Sequence, residues 1–305
     1  MRKTFIFIIL ILCSTTVAVC QSGASTIRQP KKVSLKIIQN DTVISVYRKD
    51  GDKPLMTHIS KKNNRPYIHP INAPDGKGVM TEYRPGHHLH QTGLYWGLKL
   101  VNGRDFFMNW NENFYRQVSS TITKAKGKEV KWQTVYDLLD ENKNVVLTET
   151  HNWTLQDRDG KYLLDLDYAC VARTNITFGK FYVGGLFLRM PWTKATEGQI
   201  INSMGQRDVK EAEAQRAIWA DVGVSIAGRD DMGHVAILDH PENVNFPTAW
   251  RVDSQLGLGP SRQILGDWKL DKDQTQKFRF RLVFYTGDFD PEEIKWEWLQ
   301  YIKEQ

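Results

Sequence analysis

The strongest constraint on this chain is a recurring alternation of apolar and polar residues in short runs closed by turn residues. VSLKIIQN (33–40), DTVISVYRK (41–49), KEVKWQTVYDLLD (128–140), NVVLTETHNWTLQ (144–156), YLLDLDYACVAR (162–173) and KFRFRLVFYTG (277–287) carry it most clearly. A period of two sends successive side chains to opposite faces, so each run reads as a strand with one face for a core. Asn-Asp, Asp-Gly and Asn-rich turns between the runs suit hairpin connections. KFYVGGLFLRM (180–190), GVSIAG (223–228) and GHVAILDH (233–240) continue the series. The expected fold is all-β: one large antiparallel β-sandwich of jelly-roll or supersandwich type over residues 33–305.

Two segments break the pattern. RDVKEAEAQRAI (207–218) has a helix-forming composition with weak amphipathicity. Asp290-Pro291-Glu292-Glu293 supplies an N-cap, a proline at the first helical position and first-turn acids, so a short helix is expected to close the chain. Residues 63–77 are rich in Asn, Pro and Gly and are expected to form a long loop.

The first 20 residues have the layout of a secretory signal: Arg2 and Lys3, then the apolar run FIFIILIL (5–12), then small residues. That run is too short to cross a bilayer, which takes about 20 apolar residues. Cleavage is expected between Cys20 and Gln21, leaving residues 21–32 as a flexible leader. The protein is then periplasmic or secreted. Lipid attachment at Cys20 is the weaker alternative, because Val19 precedes it where Gly, Ala or Ser is preferred. Cleavage removes Cys13 and Cys20 and leaves Cys170 alone, so no intrachain disulfide is expected. A net charge of +6 suits either simple solubility or an anionic glycan partner. No basic run interleaves with aromatics, which argues against nucleic acid.

The densest chemical cluster is RPGHHLHQTGLYW (84–96). His87, His88 and His90 lie within four residues, flanked by Tyr83, Arg84, Tyr95 and Trp96. If a strand begins at His88, His88 and His90 share a face. Three readings stand: a hydrogen-bonded surface cluster, a divalent-metal site using His88 and His90, or cofactor-free acid–base chemistry near neutral pH. A second cluster is Glu149-Thr-His151-Asn-Trp153, whose alternate residues would share one strand face as a sugar-site wall. The same pattern also describes a polar outer sheet face. Arg189 closes an apolar run and could grip a carboxylate at a cleft rim, or form a salt bridge. Asp239, His240 and Trp250 lie at or beyond the end of a strand, on a loop fixed by Pro241 and Pro247. Ten tryptophans fit either sugar platforms or core packing. No nucleophile elbow, phosphate loop, dinucleotide fingerprint, HExxH or CxxC is present.

Six blocks together resemble a bacterial domain family often labelled PmoA-like or "methane oxygenase". They are residues 65–97, VNGRDFF (101–107, with Asn102), YVGGLFLRM (182–190), INSMGQ (201–206), RAIWADV (216–222) and residues 233–252. They follow the family's order and cover roughly residues 60–285. The resemblance implies a β-sandwich comparable with the sugar-mutarotase supersandwich. It also implies a role in glycan-utilisation loci, as a dehydratase of ulvan-type uronic-acid oligosaccharides. Methane chemistry does not fit, since the methane enzyme's subunit is an integral membrane protein. The family's usual motif is near DHPHHRGLW. This chain places His87 at the acidic position and Thr92 at the arginine, which puts those two roles in doubt.

The expected function is a carbohydrate-active lyase or dehydratase acting on uronic-acid ends of anionic oligosaccharides. Elimination needs a base, an acid and a cation on the carboxylate. His88 or His90 would be the base, Tyr95 or His151 the acid, and Arg84 or Arg189 the cation. His87, Trp96, Asn102, Glu149, Asp239, His240 and Trp250 complete the expected binding site, with no cofactor. Alternatives are a glycoside hydrolase, for which Glu149 and Asp239 are the available carboxyls, and a non-catalytic glycan-binding protein. Oligomeric state is not expressed in the sequence.

Overall fold

A computed structural model describes residues 32–86, 88–108 and 114–304. The expected signal and nearly all of the leader lie outside the described residues. Lys32, assigned to the leader above, instead pairs with Arg158 in the strand Lys32–Val33.

The alternating runs build two nine-stranded sheets. In the first, order across the sheet is Gly198–Asn202, Trp219–Ser225, Met232–Asp239, Thr275–Thr286, Lys161–Ala172, Val145–Arg158, Val130–Leu139 and Tyr115–Lys124. Lys32–Val33 is attached to Val145–Arg158. In the second, the order is Trp250–Val252, Leu258–Pro260, Gly185–Leu188, Leu94–Gly97, Tyr67–Ile71, Pro54–Ile59, Val43–Arg48, Leu35–Asn40 and Lys126–Gly127. Neighbouring strands within both sheets run antiparallel. The fold is the expected all-β sandwich.

Strand alternation decides what each residue faces. From the first sheet, Leu147, Trp153, Leu155, Trp132, Leu164, Leu166, Phe278 and Phe280 point into the main core. Ile44, Val46, Ile68, Leu94, Trp96, Leu186 and Leu188 meet them from the second. Full burial of each large side chain stabilises the fold by about 1.5–3 kcal/mol. The first sheet's other face carries Leu163, Ala236, Leu238, Val283 and Tyr285, which Ile294 and Tyr301 of the closing helix cover. That helix spans Pro291–Tyr301, and the Asp290 side chain accepts from the backbone N–H groups of Glu292 and Glu293, as its sequence predicts.

Three local expectations change. Residues 207–218 form a helix only over Asp208–Ala212. The expected loop of residues 63–77 contains the strand Tyr67–Ile71. Within residues 180–190 only Gly185–Leu188 is strand.

Candidate functional site

The candidate site lies on the second sheet's outer face. Tyr95 sits between Tyr67 and Phe187 on adjacent strands, and all three side chains point away from the main core. Phe107 caps this row, with its ring 5.3 Å from Tyr95 and 5.6 Å from Phe187. Above it lies an open cavity of about 200 Å³, walled by His88, His90, Gln91, Lys99, Tyr182, Arg251 and Asp253 and floored by Phe107 and Phe187.

The histidines do not stand on a strand. The Tyr83–Thr92 bridge closes a hairpin-like excursion, tied by His88 N–H to the Pro85 carbonyl and Gln91 N–H to the His88 carbonyl. The strand begins only at Leu94. The two imidazoles still meet, with centroids 5.6 Å apart and planes at 72°. His87 lies outside the described residues.

Arg65 fixes this arrangement from below. It is 1% exposed. Its guanidinium lies 3.6 Å from the Tyr95 ring centroid, donates to the His90 carbonyl at 2.7 Å, and donates also to the Phe107 carbonyl. One buried cation therefore joins the histidine turn to the opposite wall. Burial, then the charges of Arg65, His88 and Lys99, push the His90 imidazole down to about 4, so it is neutral at pH 7.

Lys99 pairs with Asp105, and the Asp105 carboxylate also accepts the Phe107 and Met108 N–H groups. Arg251 pairs with Glu213 at 2.7 Å and lies 5.0 Å from the ring centre of Tyr182, which is 56% exposed. The cavity thus offers two imidazoles, two cations and an aromatic edge.

Most other expected site residues are elsewhere. Arg189 is fully buried, not at a rim. It donates to Gln91 Oε1, the Gln255 carbonyl and Asp253 Oδ2, so it braces two cavity-lining residues from behind. Tyr95 is 1% exposed beneath Arg65 and Phe107, and burial raises its phenol above the ordinary value. It forms the floor's underside and is not placed as an acid. Trp96 points the other way and stacks on Tyr168 at 3.9 Å in the main core. Asn102 shapes a remote turn, accepting from Thr177 N–H and donating to the Asn175 carbonyl.

Glu149 and His151 also face the core, because the inward set of their strand is Leu147, Glu149, His151, Trp153 and Leu155. Glu149 Oε2 lies 3.4 Å from His151 Nε2, and Tyr168 donates to Glu149 Oε1 at 2.9 Å. Both are buried away from the cavity, so neither is a sugar-site wall. Asp239 is buried too and accepts from Asn243 and Thr248 N–H, pinning its loop. Burial raises its carboxyl to about 6. His240 packs edge-on against Tyr301, and Trp250 donates to the Ala217 carbonyl. Arg84 is solvent-facing, at the base of the histidine turn.

Sequence reasoning missed Gln91, Lys99, Tyr182, Arg251 and Asp253. They come from four separate segments, and only the outward phase of Phe187 and Tyr95 hinted at a site on this face. A larger cavity of about 410 Å³ lies beside Arg48 and Tyr162, but it contains no imidazole. Its arginine is committed to Asp157 and the Pro74 carbonyl. Among the described residues, no group of three or more His, Cys, Asp or Glu is placed to hold a metal.

Several solved structures are similar to this chain over most of its length. They include the GH36 α-galactosidase AgaB from Geobacillus stearothermophilus, at 8% identity and TM-score 0.42, covering 83% of this chain and 41% of that one. A galactose mutarotase-like protein from Lactobacillus casei matches at 7% identity and TM-score 0.39, covering 82% and 100%. A galactose mutarotase related enzyme from Lactobacillus acidophilus matches at 8% and 0.35, covering 82% and 97%. The chain thus spans about two fifths of the α-galactosidase's length. No curated protein matches the sequence. The profile of a family of unknown function, DUF6807, matches residues 45–299, and the protein belongs to that family.

Proposed function

We propose that the cavity on the second sheet is the active site of an exported carbohydrate-active enzyme, one that eliminates water at the uronic-acid end of an anionic oligosaccharide. The observation that carries this reading is the pairing of two imidazoles, 5.6 Å apart, in an open cavity with Lys99 and Arg251 on its wall. Neutral His90 takes the proton from C5 of the uronate. The released electron pair forms the C4=C5 bond as the C4–O bond breaks. His88, in its protonated form, delivers a proton to the departing hydroxyl, which leaves as water. Arg251 and Lys99 face the carboxylate, where negative charge builds in the transition state. Tyr182 offers its exposed face to the sugar ring. The acid role moves from Tyr95 and His151 to His88, and the carboxylate role from Arg189 to Arg251, because the earlier candidates are buried.

A hydrolase would need two carboxyls flanking the scissile bond. Glu149 and Asp239 are both buried away from the cavity. Among the described residues the one carboxylate lining the cavity, Asp253, accepts from Arg189, Gln255 N–H and Gly257 N–H. Elimination therefore has the better support.

The test mixes the mature protein with uronic-acid oligosaccharides and follows the ultraviolet absorbance of a conjugated enol carboxylate. A rise that disappears in His90→Ala is expected. Binding without product by mass spectrometry would leave a glycan-binding protein instead. Metal analysis of untagged protein adds a check on cofactor-free chemistry: a stoichiometric ion lost in the double variant His88→Ala/His90→Ala would overturn it.

A further inference from the structure

We propose that the outer face of the second sheet carries a second sugar subsite, formed by Tyr67, Tyr83, His69 and Arg84, which holds the neighbouring residue of the same anionic oligosaccharide. This rests on the reading of the His88–His90 cavity as a uronate site and extends it from one sugar to a chain. Phe187, Tyr95 and Tyr67 stand side by side on three adjacent strands, pointing the same way. Strand spacing is about 4.8 Å, so the aromatic row runs about 10 Å outward from the cavity floor.

At its outer end Tyr83 stacks on both Tyr67 and His69, with centroids 5.4 and 5.5 Å apart and planes within 27° and 24°. His69 is held in place by Thr81 Oγ1, 3.0 Å from its Nδ1. The stack is fixed from the protein side, yet Tyr83 remains 39% exposed. A rigid, half-exposed aromatic ring beside an open cavity is the surface on which a pyranose packs.

Arg84 adds the charge. It has φ +51°, in the left-handed region, and its N–H bonds to the Gln91 carbonyl at 2.7 Å, so its backbone is fixed by the base of the histidine turn. Its side chain is exposed and pairs with no carboxylate among the described residues. Burial and then Tyr83 raise the Tyr67 phenol above its ordinary value, and the Arg84 guanidinium opposes them. That guanidinium charge therefore acts on the same aromatic cluster. An aromatic face with an unpaired cation beside it matches a uronate ring rather than a neutral one.

The experiment is calorimetric titration of the mature protein with size-defined di- and tetrasaccharides from polygalacturonate, alginate and ulvan. Affinity for a tetrasaccharide is expected to exceed that for its disaccharide by about tenfold. In Tyr83→Ala and Arg84→Ala that ratio falls to about one, whereas Tyr83→Phe, which keeps the ring, retains it. A ratio near one in the unaltered protein, or a tenfold gain that survives both alanine variants, overturns the second subsite while leaving the cavity reading in place. Absence of binding by any of these sugars at any length overturns both. Thermal melts of the variants confirm that each is folded.

Discussion

Two histidine clusters in this molecule have similar composition and opposite situations. His88 and His90 lie on an irregular turn above the second sheet, facing an open cavity. His58 and His151 lie between the sheets with Glu149, Tyr168 and Trp132. In the inner cluster Trp132 Nε1 donates to His58 Nδ1 at 2.7 Å and Tyr168 donates to Glu149 Oε1, while Glu149 Oε2 lies 3.4 Å from His151 Nε2 with no hydrogen bond between them. In the outer cluster the backbone is fixed by Arg65 and the rings are left beside open space. Imidazole beside carboxylate is therefore no signature of a site by itself. Chemistry needs access, and access depends on which face of the strand, or which turn, carries the residue. A buried polar cluster specifies packing, and its removal should be felt in stability.

That contrast predicts where substitutions act. The largest effect is expected for His90→Ala, which should reduce elimination by about 10²–10⁴-fold, the usual contribution of a positioned general base. Its melting temperature should barely move, since His90 is only partly buried on a surface turn. Next comes Glu149→Ala, which takes the acceptor from Tyr168 and the carboxylate from beside His151 deep in the core. A loss of about 3–5 kcal/mol in urea unfolding is expected, with Glu149→Gln losing much less because it keeps an acceptor for Tyr168. The rate per folded molecule should stay that of the unaltered protein. If Glu149→Ala silenced turnover while leaving stability intact, the assignment of inner and outer clusters would be reversed.

Much of the fold was legible because period-two alternation is a local property. The long strands around Trp132, Trp153 and Tyr168 were visible in the sequence, and so was the helix start at Asp290. The site was only half legible. The histidine cluster stood out by density, but its conformation did not. A strand from His88 would have aligned the two rings by alternation, whereas the structure brings them together through a turn held by Arg65. Glu149 and His151 were correctly placed on one strand face, but alternation alone does not say which face meets the other sheet. Arg189 was misread for a related reason: an arginine ending an apolar strand reaches solvent only if no loop closes over it, and here Gln255 and Asp253 do. Lys99, Tyr182 and Arg251 carry no local signal at all, because the sheet order brings their segments together.

The pH response separates the two clusters more finely. Burial, then the neighbouring His151, pushes His58 down to about 3, against an ordinary value near 6.5. The unfolded chain therefore takes up a proton below about pH 6.5 that folded His58 refuses. Its contribution to stability is complete above that pH and is lost as pH falls toward 3. The slope is about 1.4 kcal/mol per pH unit. Asp239 works in the opposite direction: its carboxyl, raised to about 6, favours the folded state at low pH and loses that contribution as pH rises through 6. Between pH 4 and 6 these two slopes oppose each other, so in urea unfolding His58→Gln, a change that keeps an acceptor for Trp132, should shift the slope by about one proton toward lower stability at higher pH. An unchanged slope would mean that His58 is protonated in the folded core.

The smallest expected effect tests whether the inner cluster is fully satisfied. Thr134 faces His151 across the strand pair, on the inward side, and is fully buried. Its Oγ1 has no protein hydrogen-bond partner among the described residues. Thr134→Val replaces the hydroxyl with a methyl of nearly the same shape. If the hydroxyl is desolvated without recompense, the change should stabilise the protein by up to about 1 kcal/mol. If an ordered water links Thr134 to His151 and Glu149, the same change should destabilise by a similar amount, since it takes one partner from that water. The sign in urea unfolding distinguishes a closed pairwise cluster from a hydrated one. Only the hydrated form gives Glu149 and His151 a proton path of their own, so a loss of stability in Thr134→Val would narrow the contrast with the outer pair.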